Sequence, residues 1–259
     1  MSFWENKRKK KAFIIWTSIV ALFVIIFIVC VVYLGDYYRG DRVAIERFET
    51  QHPIETQALS ETVTAYLPED AETPETGFIF YPGGKVEAVA YEPLLKELAS
   101  EGVLCILVEM PFRLAVFDMD AAEGLPEQFP EVTEWYIGGH SLGGSMAAAY
   151  VADHREEYTG LILLGSYSTT DLSGTELSVL SVYGSEDRVL NKENYDESKA
   201  NLPAEFTEVI LDGGCHAYFG MYGAQEGDGT PTLSNEEQIA ATVDAVTEFL
   251  KEEGKEDEK

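Results

Sequence analysis

The residues best suited to chemistry surround Ser141, which lies in the segment Gly139–Gly143 with the sequence GHSLG. An apolar run, WYI, precedes this segment and an Ala-rich stretch follows it. Glycines on both sides of a serine let a strand and a helix approach closely at a tight turn, which leaves the hydroxyl exposed. We therefore predict Ser141 as a nucleophile. The alternative is an ordinary glycine-rich turn.

A serine hydroxyl needs a base, and the base needs a carboxylate that orients it. His216 follows the apolar stretch FTEVILDGG, and Asp187 follows the apolar stretch LSVLSVYG. Both therefore come after predicted strands, and we assign them as base and acid. Other histidines and acids are less well placed along the chain: His52, His140, His154, Glu186 and Asp212.

Acyl transfer also needs N–H donors for the oxyanion that forms. The amide of Leu142, directly after the serine, is the first candidate. The segment PGGK follows the apolar run GFIFY, and its glycines permit a loop whose amides turn inward. Gly84 or Lys85 is then the second donor, although a PGG sequence also fits a plain tight turn.

Five apolar residues are candidates for a substrate pocket, and a place in the core is the alternative for each: Phe112, Leu114, Phe117, Tyr218 and Met221. Cys215 precedes the predicted base and raises a thiol mechanism. The predicted nucleophile turn holds a serine, however, so we expect Cys215 to pack.

The N-terminal run Ala12–Leu34 carries no charge and is long enough to cross a membrane as a helix. The basic segment Lys7–Lys11 before it predicts a cytoplasmic N-terminus, an extracytoplasmic remainder and a bacterial envelope protein. A cleaved signal peptide is the alternative, but its apolar region is shorter. Cys30 also suggests a lipoprotein, although Val29 precedes it where a small residue is expected.

The net charge of −28 excludes a basic footprint, so the sequence does not predict nucleic-acid binding. Three cysteines do not make a disulfide framework. Neither a metal-ligand spacing of His and Cys nor a glycine-rich dinucleotide fingerprint is present, and we predict no metal and no cofactor. The expected partners are a small or lipid-like ester and the membrane.

Alternating apolar runs and amphipathic segments predict a mostly parallel sheet with helices on both faces. The expected domains are a basic segment 1–11, an anchor 12–34, a stalk or first strand pair over 35–60, an α/β domain 61–252 and a disordered tail 253–259. The predicted strands are Val63–Leu67, Gly77–Tyr81, Val103–Val108, Glu134–Gly138, Leu161–Leu164, Leu177–Tyr183 and Glu205–Leu211. The predicted helices are Tyr91–Ser100, Met119–Phe129, Leu142–His154, Lys192–Ala200 and Asn235–Lys251.

From about Thr62 to Leu250 the chain resembles the α/β-hydrolase superfamily, and more narrowly the lidless bacterial hydrolases similar to dienelactone hydrolase. The likeness rests on YPGGKVE, VEMPFRLAVF, GGHSLGGSMAA, VYGSEDRVL and GGCHAYFGMYGAQEGDG, in this order. The resemblance implies an α/β-hydrolase fold and a triad of Ser141, Asp187 and His216 in an esterase. One departure is Pro82, where many lipases have histidine. An envelope acyltransferase with the same triad, or a binding domain without turnover, stays open.

Overall fold

The computed structural model describes residues 3–48, 50, 52–68 and 74–256, which fall into two units. The first unit, Met1–Tyr37, consists of helix α1, Phe3–Gly35. Its part from Lys10 to Gly35 is long and apolar enough to cross a membrane. The predicted membrane segment therefore forms one continuous helix.

The second unit begins at Tyr38 and is built on a sheet of eight strands in the order β1-β2-β4-β3-β5-β6-β7-β8. Strands β3 to β8 are parallel to one another, whereas β2 runs antiparallel to both β1 and β4. The strands are β1 Ile54–Ala58, β2 Val63–Pro68, β3 Thr76–Tyr81, β4 Leu104–Val108, β5 Glu134–His140, β6 Gly160–Leu164, β7 Ser178–Gly184 and β8 Thr207–Leu211.

Helices cover both faces of this sheet, as the sequence predicts. They are α2 Arg42–Arg47, α3 Glu92–Ser100, α4 Leu142–Asp153, α5 Lys192–Ser198 and α6 Asn235–Glu256. Because successive side chains of a strand point to opposite faces, Phe78 and Phe80 of β3 pack into the core under α3 and α6, whereas Ile79 and Tyr81 pack into the core under α4. Each face of the sheet thus has its own buried core. Because strands β3 to β8 are parallel, they all end at the same edge of the sheet.

All seven predicted strands are present, and the predicted helix Met119–Phe129 is wrong. This segment forms turns and one short 3-10 helix, Pro126–Gln128. Gly124 has a φ of 72°, a left-handed conformation that ends a helix, and a proline follows two residues later. The local breakers therefore outweigh the apolar spacing that favoured a helix.

The expected stalk over 35–60 belongs largely to the folded unit, which begins at Tyr38. Its residues form α2 and β1, and β1 pairs antiparallel with β2, from Ile54 opposite Pro68 to Ala58 opposite Thr64. One strand of this segment, β1, therefore joins the sheet, and its partner β2 lies outside 35–60. Helix α6 runs to Glu256, past the expected start of a disordered tail, and residues 257–259 lie outside the described residues.

Candidate active site

Ser141 stands at a sharp turn between the end of β5 and the start of α4. Its φ of 51° and ψ of −121° lie outside the regions that residues with a side chain prefer, at a cost of about 1–3 kcal/mol. A Cβ on Gly139 or Gly143 would lie 2.2 or 2.1 Å from the carbonyl oxygen of Tyr81. Only glycine fits at these two positions, which explains the GHSLG pattern.

Asp187 and His216 form a buried pair at the same edge of the sheet. Asp187 follows β7 and His216 follows β8, and Nδ1 of the imidazole lies 2.8 Å from Oδ2 of the carboxylate. The other carboxylate oxygen accepts the N–H groups of Val189 and Leu190 at 2.9 and 2.8 Å. Because an ionised carboxylate only accepts, this pairing places the imidazole proton on Nδ1 and the lone pair on Nε2.

Strand β6 brings the serine turn and the acid–base pair together. The carbonyl of Leu164 accepts the N–H of Ser141 at 3.0 Å. The next residue is Gly165, where a Cβ would lie 3.1 Å from His216 Nδ1 and 3.3 Å from an oxygen of Asp187. Within the described part of the chain, His216 Nε2 is buried and has no hydrogen-bond partner. The backbone of Ser141 thus pairs with the residue before Gly165, and Asp187 and His216 lie against Gly165 itself.

The loop that carries His216 is fixed by two side chains that the sequence did not single out. Gln238 of α6 accepts the N–H of Cys215 at 2.8 Å and donates to its carbonyl at 2.7 Å. Asp228 accepts the N–H of Ala217 at 2.9 Å. The Cys215 thiol is buried, and its burial together with the Asp228 charge raises its pKa to about 12. A thiol in this state is a poor nucleophile.

Three consecutive amides follow β3, and two of them have partners. The N–H of Gly83 donates to the hydroxyl of Tyr91 at 3.1 Å, and the N–H of Lys85 donates to the Arg113 carbonyl at 2.8 Å. The amide of Gly84, between them, has no hydrogen bond to any described residue. The predicted donor Lys85 is therefore already occupied, and Gly84 is the amide that is available.

Gly84 lies against Leu142, the first residue of α4. A Cβ on Gly84 would lie 2.9 Å from Cδ2 and 3.3 Å from Cβ of Leu142. The amide of Leu142 is also without a hydrogen bond to the described residues, as expected for the first N–H groups of a helix. Two amides without partners thus come from neighbouring segments next to Ser141.

His140 connects the serine turn to the loop after β3, a role that sequence reasoning missed. The Tyr91 hydroxyl, which accepts the Gly83 N–H, also forms a hydrogen bond of 2.8 Å with His140 Nδ1. The His140 ring is buried, with its centroid 4.4 Å from that of His216. Burial, with a contribution from His216, holds the pKa of His140 well below its usual value. His140 is therefore neutral, and only its place beside Ser141 could have indicated its role.

The structure separates the five predicted pocket residues. Leu114 is buried, and its Cδ2 would lie 3.6 Å from a Cβ on Gly84. Phe112 and Phe117 are more than half exposed and contact each other, with ring centroids 5.7 Å apart. Met221 lies in the core, and the partly buried Tyr218 packs against this core. Apolar character alone could not tell these environments apart.

Comparison with known proteins agrees with the fold. A model described as the alpha/beta hydrolase family matches residues 77–240, more than half of the 259-residue chain. The chain therefore belongs to the alpha/beta hydrolase family, and this membership supports a hydrolase. The matched range includes Ser141, Asp187 and His216. No curated protein matches the chain.

Proposed function

We propose that this chain is a serine hydrolase that cleaves a carboxylic ester, lactone or thioester through an acyl-serine intermediate. The proposal depends above all on the buried Asp187–His216 pair, 2.8 Å apart, at the sheet edge where Ser141 occupies its strained turn. A strained residue and a buried carboxylate both cost stability, and such features cluster at active sites. The likeness to dienelactone hydrolase remains a prediction.

In this mechanism the Ser141 hydroxyl oxygen attacks the carbonyl carbon while His216 Nε2 takes the hydroxyl proton. Asp187 holds the imidazole in the required tautomer and stabilises its positive charge. The amides of Leu142 and Gly84 donate to the oxyanion. The intermediate then expels the alcohol, which receives the proton from His216. Water repeats the sequence on the acyl-serine and releases the acid.

We also propose that α1 anchors the enzyme in a cell membrane, with the N-terminus in the cytoplasm and the second unit on the opposite side. The support is the length and apolar composition of Lys10–Gly35 and the basic segment Lys7–Lys11 before it. The same features suggest a bacterial envelope protein. Protease protection of sealed vesicles that contain the full chain tests this orientation.

Turnover of model esters tests the chemistry. The full chain in detergent should hydrolyse a short-chain nitrophenyl ester, and Ser141→Ala should reduce kcat at least about 10³-fold. Ser145→Ala is the matched control, because this serine lies one turn into α4 and its hydroxyl donates to the Tyr167 carbonyl at 2.7 Å. Equal loss in both variants, or none in either, would refute the assignment of Ser141.

A further inference from the structure

Four apolar side chains beside the candidate site are exposed, and we call them the apolar rim: Phe112, Val116, Phe117 and Met119. The two phenylalanines are 58% and 59% exposed and pack edge to face on each other rather than into a core. The rim follows β4 and therefore lies at the sheet edge that carries the candidate site. Grouped exposed apolar residues of this kind mark a surface that meets a protein or a membrane.

The backbone of the rim is strained where it presents the first of these rings. Phe112 has a φ of 54° and Arg113 a φ of 61°, which is the left-handed region that residues with a side chain avoid. Neither strain nor an exposed aromatic ring favours folding in water. A contact between the Phe112 ring and a surface outside the folded unit accounts for both the strain and the exposure.

The chain that arrives from α1 enters the second unit next to this rim. The N–H of Tyr38 donates to the Lys85 carbonyl at 2.7 Å, and the N–H of Lys85 donates to the Arg113 carbonyl at 2.8 Å, directly beside Phe112. Only two residues separate Gly35, the last residue of α1, from Tyr38. Three peptide units span at most about 11 Å, so the Cα atoms of Gly35 and Tyr38 lie within this distance in any orientation of the two units.

We propose that the apolar rim rests in the surface of the membrane that α1 spans, and that Ser141 acts on esters taken from this bilayer. This inference rests on the proposed anchoring and, for the substrate, on the proposed ester chemistry. A domain tied so closely to a membrane helix at Tyr38 has lipid within reach, and Phe117 supplies the apolar surface that binds it. Lipid is therefore the occupant favoured over a second copy of the chain.

Leu114 connects the rim to the site, because this buried side chain belongs to the same segment as Phe112 and its Cδ2 would lie 3.6 Å from a Cβ placed on Gly84. An apolar acyl chain that leaves the bilayer at the rim would pass this side chain before its carbonyl meets Ser141. The substrate class is accordingly an ester with a long apolar acyl chain.

The charges around the rim specify the kind of bilayer. Asp118 and Asp120 are exposed next to Phe117, and Glu109 is exposed after β4. Carboxylates near a membrane surface are repelled by anionic lipid. The rim should therefore contact a zwitterionic bilayer more readily than an anionic one.

Photocrosslinking tests the contact without any need for activity. The full chain, with p-benzoylphenylalanine in place of Phe117, is irradiated in phosphatidylcholine nanodiscs, and adducts are identified by mass. Ile210 on β8 is the matched control position, since it is 52% exposed. Lipid adducts at position 117 and none at 210 support the proposal. Equal lipid adducts at the two positions, or adducts at 117 to a second copy or to no lipid, overturn it.

A ratio of activities tests the substrate class. The kcat/KM on a long-chain ester in the bilayer, divided by that on a water-soluble acetate, should fall at least ten-fold in Val116→Asn/Phe117→Asn and stay constant in Ile210→Asn. The proposed substrate class is overturned if the ratio is unchanged in the rim variant, or if the wild type does not hydrolyse the ester in the bilayer. If the wild type takes up no fluorophosphonate probe at Ser141, the proposed ester chemistry is refuted instead. The photocrosslinking result still decides whether the rim contacts the membrane.

Discussion

Replacing Tyr91 by phenylalanine removes the hydroxyl oxygen that binds the loop after β3, which contains Gly83 and Gly84. That oxygen accepts the Gly83 N–H at 3.1 Å and forms a hydrogen bond of 2.8 Å with His140 Nδ1, and the ring is fully buried. Each buried group left without its partner costs about 1–3 kcal/mol, so the loss of two partners should lower the free energy of unfolding by about 2–6 kcal/mol. The Gly84 amide also loses its support, and kcat should fall about 10-fold to 100-fold, less than for complete loss of an oxyanion donor.

Tyr195→Phe is the matched control for this variant. Its hydroxyl also has two partners, Ser181 Oγ at 2.9 Å and Glu208 Oε1 at 2.7 Å, but neither belongs to the candidate site. Urea unfolding and steady-state hydrolysis of a water-soluble ester are measured for both variants. Both should lose stability, and only Tyr91→Phe should lose kcat. A Tyr91→Phe enzyme with the stability and kcat of the wild type would refute the role of this network.

Three further predictions concern the site. Asp187→Asn, which no longer fixes the useful tautomer of His216, should lower kcat about 10⁴-fold in steady-state assays and leave the circular dichroism spectrum unchanged. Gly143→Ala should abolish ester turnover, since its Cβ would lie 2.1 Å from a backbone oxygen of β3, whereas Gly174→Ala, with nothing within 4 Å, should keep it. Burial lowers the pKa of His140 below its ordinary 6.5, so as the pH falls the unfolded state takes up the proton before the folded state does. The free energy of unfolding therefore decreases as the pH falls below about 6.5. His140→Asn should lack this loss, so the difference in unfolding free energy between wild type and variant should shrink from about pH 7 to pH 5, and a constant difference would contradict it.

Most of the sheet could be predicted from the sequence because its strands are buried on both faces. Residues of β4 and β6, for example, are buried throughout, so each strand reads as a continuous apolar run. The sequence does not clearly predict strand β1, because only Ile54 is partly buried and the rest of the strand is exposed. An edge strand of this kind has no apolar period to detect, and its pairing with β2 decides its structure.

The candidate triad could be predicted because each member has a local signal. Ser141 has flanking glycines, and Asp187 and His216 each follow an apolar strand. The second oxyanion donor could not be predicted, since the choice between Gly84 and Lys85 depends on a carbonyl of Arg113, far away along the chain. Contacts between elements of this kind leave no pattern in a single sequence.

The five predicted pocket residues lie in different environments for a related reason. Phe117 and Met221 are both apolar and both follow parallel strands, yet the first is 59% exposed and the second 1%. Composition gives the same expectation for a core residue, a pocket residue and a residue that meets a membrane. Only the packing of the loop after β4 separates these environments.

Covalent labelling of the full chain by a fluorophosphonate probe tests the central claim most directly, because it needs no knowledge of the substrate. The account predicts that mass mapping finds the probe on Ser141 alone, that Ser141→Ala and His216→Ala lose it, and that Ser145→Ala keeps it. A folded protein that takes up no probe, or takes it up equally after the loss of His216, would contradict an activated serine at this turn.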